Sequence, residues 1–258
     1  MKIALVTLSA EGARVADHIA DGFPEARVYL HTSVEAALRG ERFDSILNLT
    51  KEIFGRFEGL VYIAPCGVVV RAIAPLLKHK ASDPAVVVVD VCGRFAISLL
   101  SGHEGGANDL AFQVANLIDA EPVVTTTTEA AKNLIVGVGC RRGTTSKRIV
   151  EAIKAVLTEA DLGIDEVRLL ASADIKAKEA GLLEASRKLG IPLRFISSEE
   201  IRSSARAFQR SAWVQQKVNL PAVAEPAALL AGRRTTLLVP KKDHHGVTVA
   251  VARENCSS

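Results

Sequence analysis

The chain has 258 residues, of which 48% are hydrophobic and 24% charged, and its formal net charge is +3 at pH 7. This balance is typical of a folded globular protein and excludes a globally disordered chain. The small net charge and the aromatic content of 4% disfavour a nucleic-acid partner, because such proteins need a basic surface and often stack bases on aromatic rings.

In the first half of the chain, short β-branched runs alternate with helical patterns. The predicted strands are, in order, KIALVTL, ARVYLH, GLVYIA, AVVVVD, FAISLL and PVVTTT. The predicted helices lie near Gly12–Ala20, Val34–Arg39, Asp44–Phe57, Val68–Lys78 and Ala107–Ile118. Runs such as VVVVD are apolar on both faces, which favours central strands covered by helices on both sides.

After the threonines at Thr125–Thr128 the pattern restarts. The predicted strands are NLIVGVG, EVRLLAS and LRFIS; helices are predicted over TSKRIVEAIKAVLTEA, over Ile175–Leu189 and from Ser198; and TTLLVPKKDHHGVTVAVA is predicted to form a hairpin. We therefore predict two three-layer α/β domains with mostly parallel sheets, residues 1–131 and 132–258, with the boundary near Glu129–Asn133.

Neither a leader nor a membrane partner is predicted. The first apolar run lacks a small-residue cleavage site, and the longest, AVVVVDVCGRFAISLL, is interrupted by two charges and is too short to span a bilayer. The four cysteines, Cys66, Cys92, Cys140 and Cys256, are far apart and form no CxxC pair, which is typical of a reducing compartment. We expect a cytoplasmic protein without a metal site, and we expect the adjacent His244 and His245 to lie in a hairpin turn.

The stretch SGHEGGANDLA, from Ser101 to Ala111, follows a predicted strand and leads into a predicted helix. Its glycines, Gly102, Gly105 and Gly106, would let a ligand approach the main chain, and His103 can exchange a proton near neutral pH. An alternative is a simple helix start, capped by Asn108 or Ser101. A Ser101–His103 nucleophile and base is a weaker alternative, because the G-x-S-x-G motif is absent.

Two further turns have the same character. In IAPCGVVVRAIAP, Cys66 and Gly67 precede a helix that carries Arg71, which could bind a carboxylate. In VGVGCRRGTT, Gly139, Arg141 and Arg142 form a basic, glycine-bounded turn suited to carboxylates or phosphates. This turn lacks the lysine of a Walker loop and has Arg142 where a Rossmann fingerprint needs glycine, so both nucleotide motifs are excluded.

Taken word by word, the sequence resembles the cobalamin biosynthesis protein G family. The first half resembles that family's amino-terminal region in GLVYIAPCGVVVRAIAPLLKHKASDPAVVVVDVCGRFAISLLSGHEGGANDLA and PVVTTTTE. The second half is similar to its carboxy-terminal domain in VGVGCRRGTT, LASADIKAKEAGLLEAS, AVAEPAALL and GVTVAVA. The most specific parts are S-G-H-x-G-G-A-N at Ser101–Asn108 and G-x-G-C-R-R-G at Gly137–Gly143. Many family members carry a middle region that is replaced here by a short join.

Members of that family are cobalt-precorrin-5A hydrolases of the anaerobic vitamin B12 pathway. The resemblance therefore implies an enzyme that opens the ring A δ-lactone and expels C20 with its methyl group as acetaldehyde, with His103 and Asn108 as catalytic residues. The implied substrate-binding residues are Cys66, Gly67, Arg71, Gly102, Gly105, Gly106, Gly139, Arg141 and Arg142. The cobalt arrives within the anionic tetrapyrrole substrate, so no separate cofactor is expected.

Two other functions remain open at this point. A non-catalytic corrinoid carrier of the same pathway would bind the tetrapyrrole without releasing acetaldehyde. An α/β nucleotide-binding enzyme would be stabilised by ATP or NAD, although the loop spacings disfavour it. A homodimer and contacts with neighbouring enzymes of the pathway are also left open.

Overall fold

The structure, a computed structural model, describes residues 1–35, 39–209 and 220–255. The chain divides into two units, Met1–Thr126 and Thr127–Ser258, so the division lies just before the boundary that the sequence predicts. Among the described residues, no helix is long and apolar enough to cross a membrane. The same residues include no group of three or more His, Cys, Asp or Glu side chains that could hold a metal ion.

The first unit contains one mixed sheet. Its described strands are β1 (Ile3–Thr7), β2 (Arg27–His31), β3 (Glu41–Phe43), β4 (Gly59–Ile63), β5 (Ala85–Val89), β6 (Phe95–Leu100) and β7 (Glu121–Val123). Its described helices are α1 (Ala10–Gly22), α2 (Ile46–Ile53), α3 (Cys66–Ile73, followed by a 3-10 turn at Ala74–Leu76) and α4 (Ala107–Ile118). The strand order is β3-β2-β1-β4-β5-β6-β7.

Helices cover both faces of this sheet because its central strands are apolar on both faces. Strands β1, β4 and β5 are buried along their whole length. On one face, strand residues pack against α1 and α4 through Leu5, Val61, Val87, Ile19, Leu110 and Val114. On the other face, they pack against α2 and α3 through Val6, Leu60, Val88, Leu49, Ile53 and Val69. The predicted three layers are confirmed for this unit.

The direction of β6 decides where the glycine turn lies. Strand β6 is antiparallel to β5, with Leu100 opposite Val86 and Ala96 opposite Val89, whereas the other neighbouring strands of this sheet run parallel. Residues after Leu100 therefore lie at the edge where β1, β4 and β5 begin. We call this the amino edge, and the opposite edge of the same sheet the carboxyl edge.

The second unit contains a mixed sheet of order β10-β9-β8-β12-β11. Its described strands are β8 (Leu134–Cys140), β9 (Val167–Ala173), β10 (Leu193–Ile196), β11 (Thr235–His244) and β12 (Val247–Glu254). Its described helices are α5 (Thr127–Ala130), α6 (Ser146–Glu159), α7 (Ala180–Leu189), α8 (Ser198–Ser203) and α9 (Ala224–Leu230). Strands β8, β9 and β10 are parallel, but β12 is antiparallel to both β8 and β11. The description "mostly parallel" therefore fits the first sheet better than the second.

Helices also lie on both faces of the second sheet. Helices α6 and α7 bury Ile149, Ile153 and Leu182 against the strands. Helix α9 approaches the other face so closely that a Cβ at Gly137 would lie 1.9 Å from the Ala224 carbonyl oxygen. The fully buried carboxylate of Glu225 accepts hydrogen bonds from the backbone N–H groups of Gln209 and Lys241, at 2.5 and 2.8 Å. These bonds attach α9 to two separate segments of the unit.

Most predicted elements are confirmed, with local differences. The hairpin of β11 and β12 forms as predicted, with His245 and Gly246 at its turn in left-handed conformations. The helix predicted over Ile175–Leu189 begins as a 3-10 turn at Asp174–Lys176 and becomes α-helical only at Ala180. Strand β3 and the helices α5 and α9 were not predicted. The helix predicted over Val34–Arg39 includes residues 36–38, which lie outside the described residues, as does Cys256.

Candidate active site

The glycine turn between β6 and α4 is closed by its own backbone. The Ser101 carbonyl oxygen accepts hydrogen bonds from the N–H groups of Gly105 and Ala107, both at 3.1 Å, and the Gly102 carbonyl accepts one from the Asn108 N–H at 3.0 Å. Ser101 and Gly106 both have left-handed backbone conformations, with φ of 57° and 84°. Each of these three N–H groups therefore already has a carbonyl partner within the turn.

The packing of the turn itself requires two of its glycines. A Cβ at Gly105 would lie 2.4 Å from the Ser101 Cβ, and a Cβ at Gly102 would lie 2.8 Å from Asn108 Oδ1. At Gly106, the left-handed conformation disfavours residues with a Cβ. Their assignment as substrate-binding residues stays a prediction.

Asn108 lies inside the protein and does not cap the helix. Its side chain, 8% exposed, accepts a hydrogen bond from Ser98 Oγ and donates one to Thr126 Oγ1, both at 2.8 Å. The residue that precedes α4 is Gly106, which has no side chain to cap it. The capping alternative is therefore wrong for Asn108, and the geometry indicates that this side chain holds the turn against β6 and Thr126.

Ser101 combines two features that are rare away from functional sites. It is 7% exposed, and its Oγ is buried with no hydrogen-bond partner among the described residues. Its left-handed backbone is unfavourable for a residue with a Cβ. A buried unpaired hydroxyl and a strained backbone each cost free energy, so their coincidence next to the exposed His103 marks this turn as a candidate site.

A second segment lies at the amino edge beside the turn. The loop from Lys78 to Asp83 precedes β5, and the buried carboxylate of Asp83 closes it by accepting the Lys78 N–H at 2.9 Å. Lys80 Nζ donates to Glu104 Oε1 at 2.5 Å, which joins the loop to the turn. This hydrogen bond is the largest cause of a lowered pKa at Glu104, and the charge of His103 adds to it. Glu104 is therefore a carboxylate at neutral pH.

The sequence predicted no functional role for this loop, because Lys78–Lys80 matches no motif. The signal that identifies it is topological, since a segment just before β5 must lie where β5 begins. We call Lys80, Ser101, His103, Glu104 and Asn108 the amino-edge cluster.

The turn at Cys66 is not part of this cluster. Helix α3 begins at Cys66, directly after β4, and the exposed Arg71 donates to the Gly67 carbonyl oxygen at 3.1 Å. This places Cys66, Gly67 and Arg71 at the carboxyl edge, about 15 Å from the amino edge for strands of five residues. The structure therefore does not bring these three predicted substrate-binding residues together with His103.

The basic turn of the second unit follows β8 and precedes α6. Arg141 and Arg142 are exposed, and Gly143 adopts a left-handed conformation with φ of 77°. The Gly143 N–H donates to Glu179 Oε1 at 2.8 Å, so one amide of this turn is already occupied by a carboxylate of the chain. Burial raises the pKa of the neighbouring Cys140 thiol, which disfavours a reactive thiolate there.

Gly139 lies within β8 and has a packing role. A Cβ at this position would lie 2.4 Å from Thr248 Oγ1, whose hydroxyl donates to the Gly139 carbonyl oxygen at 3.1 Å. The two arginines are therefore the residues of this turn that remain as candidates for a carboxylate-binding role.

Two family models match this chain in succession. The model described as "Cobalamin synthesis G N-terminal" matches residues 48–129, and "Cobalamin synthesis G C-terminus" matches residues 134–252. Together the two matches cover most of the chain. The chain belongs to the cobalamin biosynthesis protein G family. The first match contains the whole amino-edge cluster, and the second contains the basic turn.

The relatives of this chain differ in the share of their own length that aligns with it. Cobalt-precorrin-5A hydrolase of Priestia megaterium is 27% identical over 352 aligned residues, which cover 96% of this chain and 94% of the relative. The alignment is longer than this chain, so it includes residues that the relative has in addition. Cobalt-precorrin-5A hydrolase of Salmonella typhimurium is 40% identical over 49% of this chain and 36% of its own length. Protein CobE of a Sinorhizobium species is 32% identical over 49% of this chain and 83% of its own length.

Proposed function

We propose that this protein is a cobalt-precorrin-5A hydrolase that opens the ring A lactone and releases acetaldehyde. Its family membership supports this, as do two relatives of that name, one of which aligns with nearly the whole chain. The observation that carries the proposal is the buried, unpaired Ser101 hydroxyl in a strained turn next to His103. A site that is built to act on a ligand explains why the chain tolerates both costs.

In the proposed reaction, His103 is the general base. Its imidazole removes a proton from the water molecule that attacks the lactone carbonyl, and the imidazolium then protonates the departing ring oxygen. Asn108 holds the turn in place through Ser98 and Thr126.

The substrate is an anionic cobalt tetrapyrrole, and its cobalt is carried from substrate to product. The reaction therefore needs no cofactor from the protein, and neither ATP nor a nicotinamide takes part. Loss of C20 with its methyl group as acetaldehyde follows the opening of the lactone. We place this reaction in the cytoplasm, where the widely spaced cysteines would remain thiols.

The test is to incubate the full chain with cobalt-precorrin-5A, without ATP or nicotinamide, and to measure acetaldehyde against substrate consumed. We expect one molecule of acetaldehyde for each molecule of substrate, with a product whose mass is that of the substrate plus one water minus one acetaldehyde. Stoichiometric binding with no acetaldehyde would instead identify a corrinoid carrier and overturn the proposal.

A further inference from the structure

The ion pair between Lys80 and Glu104 is the feature of the amino edge that the proposed reaction does not use. The Lys80 Nζ and Glu104 Oε1 atoms are 2.5 Å apart, and the two side chains are 70% and 39% exposed. Exposed ion pairs contribute little to folding stability, because water screens the charges and two long side chains lose conformational freedom. Folding stability therefore does not explain why these two groups lie together.

Hydrogen bonds hold the backbone on both sides of this pair. Glu104 follows His103 directly, in the turn whose backbone is closed by the carbonyl groups of Ser101 and Gly102. Lys80 lies in the loop that Asp83 closes, where the His79 carbonyl also accepts the N–H groups of Ser82 and Asp83. A carboxylate that is bound to Lys80 thus lies beside the exposed imidazole of His103, which we assign as the base.

We propose that Lys80 binds a carboxylate of the substrate and that Glu104 occupies this place in the free protein. This inference rests on the proposed function, because the tetrapyrrole of that reaction carries acetate and propionate groups. A substrate carboxylate has the same charge and the same acceptor oxygens as Glu104, so it replaces Glu104 on Lys80 one for one. Displacing Glu104 costs little, because the pair that is broken is exposed.

The exchange makes the site selective for free carboxylates. An ester or a primary amide lacks the negative charge that Lys80 requires, so it cannot displace the Glu104 carboxylate. The neighbouring Lys78 and His79 are also exposed and add to the basic character of the loop. The protein would thus reject tetrapyrroles whose acetate and propionate groups have been converted to amides or esters.

The test is calorimetric titration with cobyrinic acid, a cobalt corrinoid with free carboxylates, and with its methyl ester. For the acid, we expect Lys80→Met to weaken binding by about tenfold, the loss typical of one charge-assisted contact. We expect Glu104→Gln to tighten binding of the acid by about threefold, because the internal competitor is removed. Neither substitution should change binding of the ester.

Matched controls come from exposed ion pairs elsewhere in the chain. Glu52→Gln removes a carboxylate on α2 that is paired with Arg56, and Lys147→Met removes an ammonium on α6 that is paired with Glu151. Both controls should bind the acid as the wild type does. In a double variant, the effect of Glu104→Gln should largely disappear once Lys80 is replaced, because there is then no cation to compete for.

Three results would overturn the inference. They are an unchanged affinity of Lys80→Met for the acid, an equal loss for acid and ester, and weaker rather than tighter binding in Glu104→Gln. Acetaldehyde release is measured separately, so a wild type that releases acetaldehyde without this binding pattern refutes the inference alone. A chain that shows the binding pattern without releasing acetaldehyde refutes the proposed reaction and leaves the carboxylate site in place.

Discussion

At the scale of single residues, the buried side-chain amide of Asn108 holds the glycine turn in its shape. Asn108 Oδ1 and Nδ2 each have a hydroxyl partner, on β6 and on Thr126 respectively. Removing the amide leaves these hydroxyls short of a partner in a buried place, which costs more than the hydrogen bonds themselves. We therefore expect Asn108 to be a positioning residue, which would affect the proposed reaction through the shape of the turn.

We expect Asn108→Ala to lower the free energy of unfolding by about 2–3 kcal/mol, from the loss of two buried hydrogen bonds. Urea denaturation measures this, with the exposed Asn48→Ala on α2 as a control expected to stay within about 0.5 kcal/mol of the wild type. A variant that keeps wild-type stability but loses turnover would contradict this role and return Asn108 to direct catalysis.

At this scale, the sequence indicated which residues form the glycine turn, but it indicated little about the role of each residue. The predicted site included His103, Asn108 and the glycines, because glycine and histidine in one short turn are chemically unusual. It could not separate a catalytic amide from a structural one, since the partners of Asn108 are 10 and 18 residues away along the chain. It also gave no role to Lys80, whose partner Glu104 is 24 residues away.

At the scale of elements, the direction of β6 places the glycine turn and the turn at Cys66 at opposite edges of the first sheet, although the two turns resemble one another in sequence. The sequence did contain a signal for this direction. Strands β5 and β6 are joined by residues 90–94, and a parallel crossover needs about a dozen residues or more. The Asp90 carboxylate organises this tight connection by accepting the backbone N–H groups of Arg94 and Phe95. The hairpin was therefore predictable, and with it the placement of Cys66 and His103 at opposite edges.

The basic turn before α6 allows a prediction at the same scale. We expect Arg141→Ala/Arg142→Ala to weaken cobyrinic acid binding by at least about a hundredfold, because two charge-assisted contacts are lost and each is worth roughly 1.5–3 kcal/mol. Added salt should weaken the wild type more than this variant, because salt screens the contacts that only the wild type makes. The melting temperature without ligand should barely change, because both side chains are exposed.

Its control is Arg187→Ala/Arg202→Ala, which removes the same charge from exposed positions on α7 and α8. The control should keep both the affinity and the salt response of the wild type. If the Arg141/Arg142 variant behaves like the control, the basic turn holds no substrate carboxylate.

At the scale of the whole molecule, the sequence was sufficient to predict two α/β units and the family. Runs that are apolar on both faces, such as those of β1, β4 and β5, predict buried central strands, and each family model lies almost entirely within one unit. Helix α9 was missed because Pro226 lies in its first turn and because its residues are buried on all sides, which leaves no apolar–polar period. Its close approach to Gly137 is a tertiary contact that local patterns do not reveal.

The central claim is that the amino edge of the first sheet carries out the reaction through His103, and the most direct measurement is the rate of acetaldehyde release from cobalt-precorrin-5A. We predict that His103→Ala lowers kcat by about 10²–10⁴-fold with little change in substrate affinity, as expected for a general base. Arg71→Ala at the carboxyl edge, and His18→Ala on α1, should stay close to the wild-type rate. A His103→Ala enzyme with wild-type turnover, or an Arg71→Ala enzyme with the larger loss, would contradict the account.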